Sequence, residues 1–341
     1  MSTTAPSISQ RIETLSGEMD GIRRRINTVR TRLAEFFVGK EEVIDLMTLC
    51  TAAQEPLLII GKPGTAKSDL VVKFCEALSL SGNEYFEYML TKFTEPSEII
   101  GPVDISQLKE GRYLRKITGK LPDCRIAFLD EIFKSNSAIL NTLLTIINER
   151  KYYQDGQPVP VNLLMLFAAA NEVPEYEELA ALRDRFVLKV ESRSVRDLAF
   201  EALIEKGLRN ETLRAFNQRP WAGLAKLEDF TKLKEFLDLI MLDQSNQDNG
   251  EGGIAEGNDP YFPRELFALY RRIVKTLATE DRLEISDRKV VKLYKLMRMR
   301  ALLFSGGVVT KDDLTLLRYI PDRAKDFEPV TEKVNSLLRL G

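Results

Sequence analysis

Pro56-Leu57-Leu58-Ile59-Ile60-Gly61-Lys62-Pro63-Gly64-Thr65-Ala66-Lys67-Ser68 is the stretch on which the fold turns. Its apolar run reads as a buried strand, and a Gly/Pro turn follows at once. A lysine–hydroxyl pair then opens a helical pattern over residues 69–78. Strand, glycine turn and helix N-terminus together make a phosphate cradle. Gly61 and Gly64 allow unusual backbone angles and close approach to a ligand. The unpaired N–H groups of the first helical turn point at the anion, and the helix dipole adds to the attraction. Lys67 is expected to reach the outer phosphates and the Ser68 hydroxyl to sit on Mg2+. Lys62, Pro63 and Thr65 complete the expected nucleotide-binding loop.

The consensus cradle has glycine before its lysine, where this chain has Ala66. A chance glycine turn ahead of an ordinary helix would share some of these letters. The flanking strand and helix, however, are what a cradle requires. A helix start is expected to tolerate one added methyl, so Ala66 reads as a variant.

At 341 residues, the chain has room for two domains or one large domain with an extension. Its 49 basic and 51 acidic residues give a net charge of −2, so no global basic field calls for nucleic acid. Histidine is absent, which excludes histidine general bases, Ser-His triads and histidine metal sites. Cys50, Cys75 and Cys124 are far apart and in apolar settings, so they read as reduced core residues. No apolar run approaches membrane-spanning length and the N-terminus lacks a signal-peptide core, so a soluble cytoplasmic protein without membrane insertion is expected.

Residues 1–9 are small and polar, with disorder expected. Residues 12–37 follow a helical period, either packing on the core or docking on a neighbouring subunit. Alternating strands and helices fill residues 39–194: strands near 85–90, 126–129, 163–170 and 186–190, and helices at 135–149 and 179–185. Residues 99–120 form an irregular basic insert, and residues 97–100 a short helix capped near Ser97. Asp155-Gly156 marks a hairpin at 151–159. This alternation predicts an α/β class, a parallel sheet with helices on both faces. From residue 195 to 341 the pattern is all α, interrupted by a polar stretch at 244–259 that reads as a mobile loop.

Nucleotide hydrolysis needs a second magnesium ligand, a group orienting water, a γ-phosphate sensor and positive charge for the transition state. Each is offered at the end of an expected strand, where ligands of open α/β sheets bind. Asp130 follows Ile126-Ala127-Phe128-Leu129 and would hold magnesium. Glu131 suits a base that polarises water, although the pair could also simply cap a helix. Asn171 ends the next strand, where its amide could serve the γ-phosphate or merely close a turn. Arg183 and Arg185, in Ala181-Leu182-Arg183-Asp184-Arg185-Phe186, and Arg288, opening a helix, are candidate cations that the residues alone do not single out.

The Gly61–Ser68 loop, Phe128-Leu129-Asp130-Glu131-Ile132, Asn171, residues 182–186 and 286–288 together resemble an AAA+ ATPase of the MoxR family, in its RavA-like branch. Non-catalytic stretches match as well: Gly101-Pro102 with Glu110-Gly111-Arg112-Tyr113, and Leu140-Asn141-Thr142-Leu143-Leu144 through Asn148-Glu149-Arg150. Alanine before the lysine also looks like that branch. The resemblance runs from about residue 12 to 320. It implies an αβα core with a five-stranded parallel sheet, a helix-2 insert, a hairpin before sensor 1, and a displaced all-α lid. By position it implies Walker A roles for Lys67 and Ser68, Walker B roles for Asp130 and Glu131, and sensor 1 for Asn171. Arg288 becomes sensor 2, and Arg185, or failing that Arg183, the trans-acting finger. Val38 and Gly39 fall where the family contacts adenine. ATP/ADP and Mg2+ are the implied cofactors. A hexameric ring or spiral that remodels a partner, often one with a von Willebrand factor A domain, is the implied activity. The branch's namesake carries an inserted β-rich domain, and nothing strand-like of that length follows Phe304.

Two other readings stand beside it. A P-loop switch such as a GTPase is formally matched by Thr310-Lys311-Asp312-Asp313, which reads better as a helix cap. A DNA-acting motor could use the basic insert, but near-neutral net charge argues against it.

Overall fold

The apolar runs read from the sequence become strands whose both faces are covered. The computed structural model describes residues 7–247 and 259–340. Strand β1 (Leu57–Ile60) is buried at every position and pairs in parallel with β6 (Met165–Ala170) on one side and β7 (Leu188–Glu191) on the other. Strand β3 (Ile126–Asp130) joins β6, and β2 (Tyr85–Met89) forms the outer edge, giving the order β2-β3-β6-β1-β7. Parallel neighbours need crossover connections, which place helices on both faces.

The alternation of side chains divides the core accordingly. Leu57, Ile59, Ile126, Phe128, Met165 and Phe167 face one layer; Leu58, Ile60, Ala127, Leu129, Leu166 and Ala168 face the other. The first layer holds α1 (Ile8–Ala34), α2 (Glu41–Ala53) and α3 (Lys67–Ala77). The second holds α4 (Pro96–Ile100), α6 (Ser137–Glu149) and α7 (Ala180–Arg185). Between α4 and β3, the short helix α5 (Ile105–Lys109) and one β-bridge, Val103 to Arg115, form the insert. Gly101 turns it back at φ +94°, where a Cβ would stand 2.0 Å from the Lys116 carbonyl oxygen. The hairpin is β4 (Lys151–Gln154) with β5 (Gln157–Pro160), turning on Asp155 and Gly156, both at positive φ.

After β7 the described chain is helical: α8 (Phe200–Ala215), α9 (Leu227–Gln247), α10 (Arg264–Thr279), α11 (Asp287–Phe304) and α12 (Phe327–Leu340). Helix α1 lies along α9. Its buried stripe, Leu15, Met19, Ile22, Ile26, Val29 and Leu33, is flanked by ion pairs Arg11–Glu235 at 2.6 Å and Arg25–Asp229 at 2.5 Å. Of the two placements open to this helix, it therefore takes the core. Among the described residues, no helix is long and apolar enough to cross a membrane.

Several local expectations are corrected. Helix α1 begins at Ile8, inside the tail expected to be disordered, because Ser7 and Gln10 form a reciprocal capping box; residues 1–6 lie outside the described residues. Glu95, rather than Ser97, caps α4, through a box with Glu98. In α6 the sequence period points to Ile139, Leu143, Leu144 and Ile147 as the core face, but Leu140 and Ile146 are buried with Ile139 and Leu143, while Leu144 and Ile147 are only partly covered. The loop expected at 244–259 lies outside the described residues except at its ends, where α9 continues to Gln247.

Ala66 caps α3 in the left-handed region, at φ 66° and ψ 21°. The expected tolerance of the extra methyl therefore carries a cost, about 1–2 kcal/mol for a residue with a Cβ. Glycine removes that cost but loses more freedom on folding, about 0.5–1 kcal/mol. Ala66→Gly should raise the stability of the nucleotide-free chain by up to about 1 kcal/mol. Thermal unfolding checks this, and a lowered midpoint would contradict it.

Candidate nucleotide site at the carboxyl edge of the sheet

Where β1 ends, three strands crowd one backbone position. Gly61 donates its N–H to the Ala170 carbonyl at 3.0 Å, and Ser192 donates to the Ile60 carbonyl at 2.7 Å. A Cβ at Gly61 would lie 2.5 Å from the Ser192 carbonyl oxygen and 2.8 Å from Thr65 Oγ1, so glycine is required there. The loop is then pinned. Thr65 Oγ1 donates to the Lys62 carbonyl at 2.8 Å, and Ser192 Oγ donates to the Thr65 carbonyl at 2.7 Å. Lys62, Pro63 and Gly64 remain exposed, with Gly64 at φ +79° and open space where a side chain would be. Ser68 is half-buried in the first turn of α3.

Lys67 is 7% exposed, and its ammonium folds back on the loop. It donates to the Gly61 carbonyl at 2.5 Å, the Lys62 carbonyl at 3.2 Å and Asn171 Oδ1 at 3.4 Å. Burial lowers its pKa, and the nearby charges of Asp130 and Glu131 pull it back up. Asn171, one residue past β6, donates through Nδ2 to Glu131 Oε1, which also pairs with Lys134 at 3.1 Å. Asp130, the last residue of β3, accepts the Glu131 N–H at 2.8 Å. Glu131 itself sits in the left-handed region, at φ 54° and ψ 43°. A non-glycine residue held there costs of order 1–3 kcal/mol, and such strain clusters at functional sites. Lys67, Asn171, Glu131 and Asp130, read separately from the sequence, thus form one connected group.

Beside this group lies a pocket of about 310 Å³ whose walls include Val38, Lys40, Gly64, Thr65, Ala66 and Val195. Gly39 does not line it; it turns at φ +60° with a would-be Cβ 2.8 Å from Val195 Cγ1, so its place is dictated by backbone fit. Sequence reasoning missed two contributors. Lys40, 4% exposed, donates to the Arg193 carbonyl at 2.5 Å; burial and then Lys67 lower its pKa. Helix α8 forms a further wall with Leu203, Lys206, Gly207 and Asn210. Lys206 and Asn210 bind the carbonyls of Ala34, Phe37 and Phe36, at 2.8–3.2 Å. No residue of α8 is buried, although Phe200, Leu203, Ile204 and Leu208 fall at helical spacing in its sequence.

No hydrogen bond or ion pair among the described residues brings the candidate arginines to this group. Arg183 donates to the carbonyls of Pro174 at 2.7 Å and Tyr176 at 2.8 Å. Arg185 is half-buried, its nearest charge Asp184 at 3.8 Å and its Nε without a partner. Arg288 is exposed in the first turn of α11. The Thr310–Asp313 stretch is occupied internally. Asp313 accepts from Thr310 N at 2.7 Å and Oγ1 at 2.9 Å and pairs with Arg300 at 2.7 Å.

Comparison with known proteins matches this arrangement to a family. The MoxR domain of the MoxR-vWA-beta-propeller ternary systems matches residues 24–232, and an AAA lid domain matches residues 265–333. An uncharacterized protein of Methanocaldococcus jannaschii is 33% identical over 303 residues, covering 89% of this chain and 71% of the relative. Chaperone MoxR1 of Mycobacterium tuberculosis is 25% identical over 193 residues, 54% of this chain and 49% of that protein. The crystal structure of a candidate ATPase from Cytophaga hutchinsonii superposes with a TM-score of 0.67 at 17% identity, covering 96% of this chain and 97% of that one, a likeness of fold. A five-stranded parallel sheet flanked by helices, a helical lid and a domain match spanning most of the chain place this protein in the MoxR family of AAA+ proteins.

Proposed function

We propose that the chain is an ATP-hydrolysing motor of the RavA-like branch that assembles as a hexameric ring or spiral and remodels a partner protein. The observation that carries this reading is the linked group Lys67–Asn171–Glu131 with Asp130 at the carboxyl edge of the sheet. Its chemistry follows from what each atom is doing. The Lys67 ammonium rests on carbonyl oxygens, weaker partners than a phosphate, and would exchange them for the outer phosphates of ATP. That exchange loosens the Asn171 amide, which is then available to the γ-phosphate. Glu131, freed from Asn171, would orient and polarise the attacking water. Val38 and Lys40 would flank the base.

The donor set suits Mg2+, which takes one or two protein oxygens and fills its other positions with phosphate and water. Ser68 Oγ and Asp130 would supply those oxygens, and among the described residues no group of three or more potential ligands forms a larger cage. Bound magnesium neutralises charge on the phosphates during transfer. The three cysteines are free and buried, which agrees with a reducing cytoplasm. A partner with a von Willebrand factor A domain fits the ternary systems in which the matched domain is described.

Arg185 is the better finger, because Arg183 is spent on two carbonyls. Glu131→Gln should keep nucleotide binding, abolish turnover and trap an ATP-dependent hexamer, measured by light scattering beside phosphate release. A monomer that still hydrolyses ATP under every condition would sink the shared-site reading. Arg185→Ala should abolish turnover with binding spared. Arg183→Ala should instead lower thermal stability, by about 1 kcal/mol for one part-buried and one exposed hydrogen bond.

A further inference from the structure

Away from the nucleotide edge, four charged side chains from both halves of the chain meet in a largely dry place. Lys189, on β7, is fully buried, and the Lys289 side chain, in the first turn of α11, is 2% exposed. An isolated ammonium in such surroundings gives up its charge unless carboxylates hold it. Lys189 Nζ stands 2.6 Å from Asp322 Oδ1 and donates to the Phe186 carbonyl at 2.7 Å. Lys289 Nζ stands 3.4 Å from Asp322 Oδ2 and 3.3 Å from Asp184 Oδ1. It also donates to the Glu284 carbonyl at 3.3 Å, and Ser286 Oγ donates to Asp184 at 3.3 Å. Asp322 thus bridges the two lysines, and Asp184 closes the chain of contacts. Burial draws Lys189 down to about 8, with Asp322 and Asp184 opposing and Lys289 adding to the fall.

The positions of these residues matter more than their charge. Asp184 stands between Arg183 and Arg185 at the end of α7, and Lys289 directly follows Arg288. Lys189 pairs with Leu58 of β1, the strand that runs into the nucleotide loop. The cluster therefore ties the arginine-bearing end of α7 to the lid helix α11 and seats both on the neighbour of β1. Among the described residues, no hydrogen bond or ion pair joins any of the four to Lys67, Glu131 or Asn171, so they are positioning residues.

We infer that Lys189, Asp322, Lys289 and Asp184 form a cluster that fixes Arg185 for presentation to the nucleotide of a neighbouring copy, so that α7 and the lid move as one body. The inference rests on the proposed shared site. A displaced finger is costly because misplacement of about 1 Å lowers rates by about 10²-fold.

The test uses Asp184→Asn, at the most exposed member of the cluster, and the charge-matched double variant Asp184→Asn/Lys289→Met, in the full chain. Turnover should fall about 10- to 100-fold in both, with the affinity for a fluorescent ATP analogue changed less than about twofold, and Asp184→Glu should recover part of the rate. Mixing Asp184→Asn chains with Glu131→Gln chains should restore turnover, because the second chain supplies an undisturbed Arg185 to the first chain's intact site. Unchanged turnover with a lowered melting temperature would reduce the cluster to a structural clamp. Slow turnover that mixing does not restore would mean it acts within its own chain. Either result overturns the inference while leaving the ATPase reading standing. A wild-type chain that turns over no ATP would instead overturn both.

Discussion

The structure depends on an approach that only glycine permits. Gly61 lies so near the Ser192 carbonyl that any β-carbon would strike it, and this closeness joins β1, β6 and β7 at one edge. Because Ser192 also holds the Thr65 carbonyl, the chain leaving β7 ties down the loop leaving β1. The loop is thus ordered by the fold before any anion arrives, and the first turn of α3 is aimed outward from a fixed base. Preorganised donors of this kind bind charge without a reorganisation cost at the moment of binding.

What lies behind that edge explains its rigidity. Each central strand sends alternate side chains into separate cores, one shared with α1, α2, α3 and the C-terminal helices, the other with α4, α6 and α7. Residues adjacent in β1, such as Leu58 and Ile59, therefore answer to different layers. A shift of register would misplace both layers at once, so the strand ends cannot wander. The carboxyl edge inherits that precision, and Asp130, Asn171 and Gly61 are placed by strand pairing more than by their own contacts.

The parts of this arrangement that could be read beforehand are those with a strong local cause. A strand covered on both faces must be apolar throughout, so residues 57–60 and 126–129 stood out, each followed directly by a residue of the site. The turn at Asp155-Gly156 was legible because few residues tolerate positive φ at both positions. Other features were hidden for physical reasons. The capping box of Ser7 with Gln10 was a visible signal outweighed by the polar tail before it. The role of α8 in the pocket was hidden although Phe200, Leu203, Ile204 and Leu208 share helical spacing, because its contacts to residues 34–37 are made by lysine and asparagine to backbone. Lys189, within Leu188-Lys189-Val190, has no carboxylate partner near it in sequence beyond Glu191; only the tertiary fold brings Asp322 to it, 133 positions later. Glu131 was legible as an acid, but its left-handed backbone was not.

That backbone bears on how the groups of the site hold one another. Glu131 is strained, and its carboxylate is held by Asn171 on one side and Lys134 on the other, while Lys67 rests on the loop that it would leave for a phosphate. Lys67, Asn171 and Glu131 are each held by other groups of the same site, so neither the Lys67 ammonium nor the Glu131 carboxylate is left bare. A phosphate would offer Lys67 stronger partners than its carbonyls, and Asn171 a second anion beside Glu131. Their departure would leave Glu131 with Lys134 alone, on an exposed side chain that water screens well. On this account the ligand itself would release the carboxylate that acts on it, and Asn171 and Lys134 would hold Glu131 until a γ-phosphate is bound.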